Sequence, residues 1–213
     1  MQQFSIDLEL VQACSDTYVL PPTLPVPATG TNARVTKATD GTLIVAFRGS
    51  VTVEDWVRDF VCFPIITREH PQFGFCHAGF LDGAQNVIDA IADAIGNAPW
   101  YATGHSLGGA LALGVAALMV TRGRAPLRTT TFGAPRFGMA QFVKFMAPYV
   151  VDQYRRGNDI VPEVPRDVPP LFAFLDTRPL IQIGVAQPDF LKCHSIAGYA
   201  EDLAVNLKEE AMA

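Results

Sequence analysis

The chain has 213 residues, of which 49% are hydrophobic and 17% charged, and its formal net charge is −5. This composition excludes an intrinsically disordered chain, and an acidic balance without a Lys/Arg run argues against nucleic acid as a partner. At about 150 residues per domain, a single domain over residues 1–213 is expected. The longest apolar run, at 107–120, is shorter than the roughly 20 residues of a transmembrane helix, so no membrane span is predicted.

The first ten residues contain Asp7 and Glu9 but no Lys or Arg, unlike a secretory signal. This absence favours a cytoplasmic location, with the mature form of a secreted protein as the open alternative. The cysteines show no C-x-x-C pattern, which predicts free thiols. Cys76 and Cys193 each directly precede a histidine, but adjacent ligands lack the usual metal-site spacing, so no metal or cofactor is expected.

In the first half of the chain, helical spacing of apolar residues predicts a helix over 4–18, and prolines between 21 and 27 predict an extended loop. Ala33–Lys37 and Leu43–Phe47 are predicted to form two strands, joined at Asp40–Gly41 by a hairpin turn. Residues 53–80 are rich in phenylalanine and are predicted to be irregular. Apolar steps of three and four over 81–95 predict one amphipathic helix of about five turns.

In the second half, the pattern predicts a strand over 100–103, a sharp turn over 104–109 and a buried helix over 111–119. Further strands are predicted at 128–132, 150–154, 171–175 and 180–183, with a short helix at 141–146. Ser195 is a suitable N-cap for a C-terminal helix that carries Ile196, Tyr199, Leu203 and Leu207. Strands that alternate with helices predict an α/β fold with a mostly parallel central sheet flanked by helices.

One motif carries chemistry: residues 104–109 contain G-x-S-x-G, with Ser106 at its centre. A predicted strand precedes it and an apolar helix follows, which is the context of a nucleophile elbow. The tight turn requires small residues on both sides of the serine, and the following helix directs backbone N–H groups toward the site. The N–H of Leu107 is therefore a candidate oxyanion donor, and Ser50, which follows the strand at 43–47, is the candidate second donor.

A serine nucleophile needs a base and an acid that orients the base. His105 adjoins Ser106, so its side chain should point away from Oγ and pack as a structural residue. The chain order Ser, acid, His of this fold selects His194 over the earlier His70 and His77. The acid must then lie between 106 and 194. Asp159 is preferred because it follows the strand at 150–154, and Asp176 is held in reserve; the other candidates are Asp152, Glu163, Asp167 and Asp189.

Several ordered blocks, spread over most of the chain, resemble the class 3 lipase family, the fungal-type triacylglycerol lipases and their bacterial relatives. The blocks are 47–50, 55–56 with Asp59, 77–80, 104–109, 132–136, 158–162 and His194 ahead of Tyr199. The resemblance implies an α/β-hydrolase fold with Ser106 as nucleophile, Asp159 as acid and His194 as base. It also implies Ser50 and Leu107 as the oxyanion hole.

In the family, a helical lid with a tryptophan follows the Arg-Gly-Ser block, which here corresponds to 53–59. The resemblance thus assigns lid or substrate contacts to Val53, Trp56 and Val57. We add Phe60, next to this segment, and Val161 from the valine-rich loop 161–171. The chain is shorter than typical fungal members and lacks their signal peptide and disulfide framework. These departures count against extracellular fat digestion but leave the catalytic set intact.

The expected function is hydrolysis of carboxylic esters such as acylglycerols through an acyl-enzyme, without a cofactor. An ester or lipid is the expected substrate, with transient contact to a lipid interface. Small size and a brief lid favour short or medium acyl chains, and phospholipase A1 and feruloyl esterase activities stay open. The alternatives are a catalytically silent lipase-like binding module and an acyltransferase that uses the same acyl-enzyme.

Overall fold

A six-stranded sheet lies between two layers of helices. The computed structural model describes residues 2–27, 30–50, 67–166 and 173–212. The strand order is β1-β2-β5-β6-β7-β8, in which β1 is antiparallel to β2 and the other neighbours are parallel. These strands are β1 (Ala33–Lys37), β2 (Leu43–Phe47), β5 (Trp100–His105), β6 (Arg128–Phe132), β7 (Val151–Arg156) and β8 (Ile181–Ile183).

Helices cover both faces of this sheet. The helices of the described chain are α1 (Gln2–Val19), α2 (Ala78–Gln85), α3 (Ile88–Ile95), α4 (Leu107–Thr121), α5 (Ala140–Met146), α6 (Phe190–Cys193) and α7 (Ile196–Met212). Helices α1 and α7 pack together on one face, and α2 to α5 contribute to the core on the other. None of the described helices is both long and apolar enough to cross a bilayer.

The central strands are buried on both faces because each face is covered by a helical layer. In β2, Val45 and Phe47 belong to the core beneath α2 to α5, whereas Ile44 and Ala46 belong to the core beneath α1 and α7. Alternate side chains of a strand point to opposite faces, so one five-residue strand supplies both cores. The hairpin predicted for β1 and β2 is confirmed, with Ala33 paired to Phe47 and Lys37 to Leu43.

A small hairpin occupies part of the segment that was predicted to be irregular. Strands β3 (Thr67–His70) and β4 (Gly74–His77) pair antiparallel as a separate two-stranded sheet, so the prediction for 67–77 is wrong. The turn uses Gly74 at a φ of 72°. Aromatic residues misled the prediction because they alternate: Phe73 is buried, while Phe75 is exposed. Residues 53–66 lie outside the described part of the chain.

The single helix predicted over 81–95 is instead two helices, α2 and α3. The break falls at Asn86–Val87, where two weak helix formers interrupt the run. Apolar periodicity continues across the break, so Leu81, Ala84 and Ile91 are still buried together. The apolar spacing therefore predicted the buried face correctly but missed the break between α2 and α3.

Other boundaries shift by a few residues. Strand β5 continues to His105 and α4 begins at Leu107, so the sharp turn predicted over 104–109 is concentrated at Ser106. No strand covers the described end of 171–175: Leu175 forms an isolated bridge with Gly138, and 171–172 lie outside the described residues. Ser195 acts as the predicted N-cap of α7, because its Oγ accepts the N–H of Gly198 at 3.4 Å.

The parallel strands place the proposed triad and the candidate oxyanion donors at one edge of the sheet. Carboxyl ends of parallel strands share an edge, and ligands of open α/β sheets bind there. Ser50 follows β2, Ser106 follows β5 and Asp159 follows β7. His194 lies between α6 and α7, beyond the end of β8. The fold thus brings together residues that are up to 144 positions apart in the sequence.

Candidate active site

Ser106 lies on a strained turn between β5 and α4. Its φ of 58° and ψ of −132° make it the one non-glycine residue with positive φ in the described chain. Two backbone hydrogen bonds hold this conformation: its N–H donates to the Phe132 carbonyl at 3.0 Å, and its carbonyl accepts the Gly109 N–H at 2.9 Å. Strain of this kind costs about 1–3 kcal/mol and is concentrated at functional sites.

The glycines around Ser106 are required by close backbone packing. A Cβ on Gly104 would collide with the backbone of Gly108, and a Cβ on Gly108 would collide with the backbone of Phe47 at the end of β2. The sequence predicted small residues here, and the structure confirms that prediction. The nucleophile elbow therefore packs directly against the end of β2, the strand that precedes Ser50.

His194 is oriented by Asp159. The Nδ1 of His194 and the Oδ2 of Asp159 are 2.8 Å apart, and both side chains are buried. Asp159 accepts two further hydrogen bonds: Tyr199 Oη donates to Oδ2 at 2.7 Å, and the Val161 N–H donates to Oδ1 at 2.9 Å. A carboxylate with this number of donors is fixed in position and can hold Nδ1 protonated.

These contacts determine the charge of Asp159. Burial alone would raise its pKa, but the hydrogen bond and charge of His194 and the donors Tyr199 and Val161 outweigh burial and lower the pKa. Two other candidates have different partners: Asp176 pairs with Arg136, and Asp152 pairs with Arg128. Among the candidate acids that the structure describes, Asp159 is the one bonded to His194, and Asp167 lies outside the described residues.

Two buried polar atoms at this edge have no hydrogen-bond partner among the described residues: Ser106 Oγ and His194 Nε2. Ser106 is fully buried, and His194 is 3% exposed. An unpaired buried hydroxyl or ring nitrogen costs about 1–3 kcal/mol, so a fold retains such atoms at a cost in stability. In a Ser-His-Asp triad, these are the two atoms between which the proton moves.

A cavity of about 400 Å³ opens beside the candidate oxyanion donors, and both Ser50 and Leu107 line it. Its remaining wall includes Leu111, Asn32 and Arg48. Leu107 is the first residue of α4, where backbone N–H groups have no acceptor within the helix. The cavity is large enough for part of a small organic ligand.

The remaining predicted contact residues fall in two groups. Val161 is 1% exposed and lies in a 3-10 helix (Val161–Glu163) close to Asp159. Its backbone N–H donates to the carboxylate of Asp159. A contact between Val161 and substrate stays a prediction. The lid residues Val53, Trp56, Val57 and Phe60 lie outside the described residues. Cys14, Cys76 and Cys193 are free and buried, and the described residues contain no group of three potential metal ligands.

Two residues that support the site, Tyr199 and Gly133, were not predicted to contact it. Tyr199 belongs to one of the family blocks, but nothing in the sequence linked its hydroxyl to Asp159. Gly133, at a φ of 59°, leaves room for the acid and base, because a Cβ there would be 2.7 Å from Asp159 Oδ2 and 3.0 Å from His194 Nδ1. Nothing in the sequence of the block 132–136 indicated this contact.

Comparison with known proteins gives the family. The family model for lipase (class 3) matches residues 44–168, more than half of the chain. The chain belongs to the class 3 lipase family. This confirms the resemblance found in the sequence, and the mostly parallel sheet with flanking helices agrees with the predicted α/β-hydrolase fold.

Lipases are among the relatives that this chain matches. It is 34% identical over 146 residues to a secreted mono- and diacylglycerol lipase 1 of Fusarium solani, covering 64% of this chain and 42% of that protein. It is 32% identical over 161 residues to a lipase of Rhizomucor miehei, covering 68% of this chain and 43% of that protein. The chain thus spans less than half the length of these curated relatives.

Solved structures agree on the fold. The Rhizomucor miehei triacylglyceride lipase superposes with a TM-score of 0.68 at 23% identity, over 90% of this chain and 83% of that one. A lipase from Rhizopus microsporus var. chinensis gives a TM-score of 0.68 at 22% identity, over 93% of this chain and 85% of that one. These likenesses extend the shared fold beyond the residues that the family model matches.

Proposed function

We propose that this chain is a serine carboxylic ester hydrolase. The observation that carries the proposal is the pair of unpartnered buried atoms, Ser106 Oγ and His194 Nε2, beside the Asp159–His194 hydrogen bond. Membership of the class 3 lipase family supports the same chemistry. Ser106, Asp159 and His194 are the proposed catalytic residues.

The reaction begins when Ser106 Oγ attacks the ester carbonyl carbon and its proton passes to His194 Nε2. Asp159 keeps Nδ1 protonated and stabilises the positive imidazolium. The N–H groups of Ser50 and Leu107 stabilise the negative oxygen of the tetrahedral intermediate. That intermediate collapses, the C–O bond to the alcohol breaks, and the alcohol leaves with the proton from Nε2.

The second half of the reaction releases the acid. Water loses a proton to His194 Nε2 and attacks the acyl-enzyme carbonyl, and the same N–H groups stabilise the second intermediate. When Ser106 Oγ leaves, it takes the proton back, so enzyme and protonation states are restored. An alcohol in place of water would give acyl transfer, which differs only in the product.

For substrate, we propose acyl esters of short or medium chain length, including acylglycerols. The relatives named for mono- and diacylglycerols support an acylglycerol, and the limited cavity beside Ser50 and Leu107 supports a small group there. Exposed apolar side chains at Val19, Leu20 and Val185 are compatible with transient contact to a lipid surface. The lid and groove contacts of Val53, Trp56, Val57, Phe60 and Val161 belong to this proposal.

The test is hydrolysis of p-nitrophenyl esters from acetate to palmitate by the wild type and by Ser106→Ala. We expect the wild type to hydrolyse these esters, with the highest rate for short or medium acyl chains. The variant should lose roughly 10³-fold or more of kcat. A folded Ser106→Ala protein with wild-type kcat would contradict the mechanism. An inactive, folded wild type would favour the silent binding module, and recovery of a new ester instead of free acid would favour acyl transfer.

A further inference from the structure

His105, the residue before the nucleophile, is bonded at both ring nitrogens. Its Nε2 lies 2.7 Å from the carbonyl oxygen of His194, and its Nδ1 lies 2.8 Å from the hydroxyl of Tyr18 in the last turn of α1. The ring is 3% exposed and makes ring contacts with Tyr18, His194 and Tyr199. The proposed triad uses neither of these two hydrogen bonds.

The partners fix which atoms donate. A carbonyl oxygen can only accept, so Nε2 of His105 carries a proton and donates it to His194. Burial lowers the pKa of His105 to about 3, so the ring is neutral and has no second N–H. Its Nδ1 must therefore accept, and the Tyr18 hydroxyl donates to it.

The same hydroxyl reaches the loop of the candidate oxyanion hole. The backbone N–H of Gly49, the neighbour of Ser50, interacts favourably with the Tyr18 oxygen. The loop has no spare room, because a Cβ on Gly49 would clash with that hydroxyl and would lie 2.7 Å from the His105 carbonyl oxygen and 3.0 Å from Ser106 Cβ.

We propose that Tyr18 and His105 are positioning residues, which tie the oxyanion loop, the nucleophile and the base into one chain of contacts. The chain runs from Gly49 N–H to Tyr18 Oη, from Tyr18 O–H to His105 Nδ1, and from His105 Nε2–H to the His194 carbonyl. Since His105 is covalently joined to Ser106, its bond to His194 sets the separation of nucleophile and base. This inference rests on the proposed function.

The reason for such a chain is geometric. Ser50, Ser106 and His194 follow three different elements, and reacting groups must be held to about 0.5 Å. The carboxylate of Asp159 fixes the imidazole of His194 but not the backbone from which that side chain extends. His105 fixes that backbone from the opposite side. A misplacement of about 1 Å can cost roughly 100-fold in rate, so losing one link of the chain is expected to cost about 10-fold.

The decisive variant is Tyr18→Phe, which removes one hydroxyl and keeps the ring. We expect kcat on a p-nitrophenyl ester to fall about 10-fold while KM stays within about twofold, because Tyr18 is not among the described residues that line the cavity beside Ser50 and Leu107. The matched control is Tyr154→Phe, which removes a buried hydroxyl bonded at 2.8 Å to Asp7, near the other end of the same helix α1. The control should lower the melting temperature and leave kcat unchanged.

His105 gives a second, independent readout. The amide of His105→Gln can donate to the His194 carbonyl and accept from Tyr18, so this variant should keep kcat within about threefold. The leucine side chain of His105→Leu has no polar atoms, so the kcat of this variant should fall about as far as that of Tyr18→Phe. If His105→Leu fails to fold, the comparison of Tyr18→Phe with Tyr154→Phe still tests whether the Tyr18 hydroxyl positions the site.

The outcomes separate this inference from the proposed function. An active wild type with an unimpaired Tyr18→Phe would overturn the positioning role alone. Equal losses of kcat in Tyr18→Phe and Tyr154→Phe would also overturn it, since general loosening would then explain both. A folded wild type that hydrolyses no ester would instead remove the proposed function.

Discussion

At the scale of single residues, the site is unusual for what it leaves unsatisfied. Ser106 combines a positive φ with a buried hydroxyl, and neither this hydroxyl nor the Nε2 of His194 has a hydrogen-bond partner among the described residues. Each feature destabilises the folded chain, and backbone hydrogen bonds to Phe132 and Gly109 hold the strained turn in place. Features that cost stability and converge on one point are the physical signature of a reactive site.

His105 should make the stability of the protein depend on pH. Its pKa is about 3 when folded and 6.5 in a model compound, so below pH 6.5 the unfolded chain binds the extra proton. The stabilisation is complete above pH 6.5 and is lost as pH falls toward 3. Between pH 5.5 and 4.5, urea unfolding should show the wild type losing about 1.4 kcal/mol more than His105→Gln.

His70 provides the control for this measurement. It is partly exposed, and burial lowers its pKa too, but its ring stacks on Phe73 and its Nδ1 accepts the N–H of Gln72 at 3.3 Å. His70→Gln should therefore change the pH dependence less than His105→Gln does. Equal pH slopes for the wild type and His105→Gln would show that His105 is not held neutral by the fold.

Much of the residue-level site could be predicted because its signals are local. Ser106 lies in a motif, and chain order together with the family resemblance indicated Asp159 and His194. Tyr18 could not be found in this way, since it is 87 positions from His105 and α1 carries no motif. Contacts between distant segments depend on how helices pack on the sheet, and the sequence pattern does not encode that.

At the scale of elements, the turns at the carboxyl ends of the strands carry the function. The turn after β6 is an example: Gly133 adopts a φ of 59° directly beneath the Asp159–His194 pair. Its N–H donates to the Tyr154 carbonyl at 3.0 Å, which ties the turn to β7. The turn therefore packs against the Asp159–His194 pair without taking part in the chemistry.

Gly133→Ala should lower activity by displacing the acid and base. The added Cβ would lie 2.7 Å from Asp159 Oδ2 and 3.0 Å from His194 Nδ1, closer than ordinary contacts allow. We expect kcat on a p-nitrophenyl ester to fall at least about 10-fold, in addition to a loss of stability from the left-handed backbone.

Gly123→Ala is the matched control. Gly123 has a similar φ of 70°, but an added Cβ would meet nothing within 4 Å. Both substitutions incur backbone strain of about 1–2 kcal/mol, and only the one at 133 reaches the site. If the two variants retain the same kcat, the contact at Gly133 has no catalytic consequence.

Elements with strong periodicity were predicted well, and those that depend on tertiary contacts were not. Strands β1, β2 and β6 matched their predicted bounds because each is a short run with β-branched residues, which favour strands. The hairpin of β3 and β4 was missed, since its four-residue strands carry charged and aromatic side chains. The break between α2 and α3 was missed because the apolar spacing continues through it.

At the scale of the whole molecule, the two terminal helices cover the sheet face opposite α4. Helix α1 packs on α7, so the first and last described elements are neighbours. This pairing brings Tyr18, at the end of α1, and Tyr199, on α7, to the same edge of the sheet. Both tyrosines then bond to the residues around the base, Tyr18 through His105 and Tyr199 through Asp159.

The central claim is that Ser106 forms a covalent acyl-enzyme, and the most direct measurement is intact mass after reaction with a p-nitrophenyl phosphonate. We expect one adduct per wild-type chain, mapped to the peptide that contains Ser106, together with loss of esterase activity. The Ser106→Ala protein should remain unmodified under the same conditions. A folded wild type that takes up no adduct, or an adduct that persists in Ser106→Ala, would contradict the account.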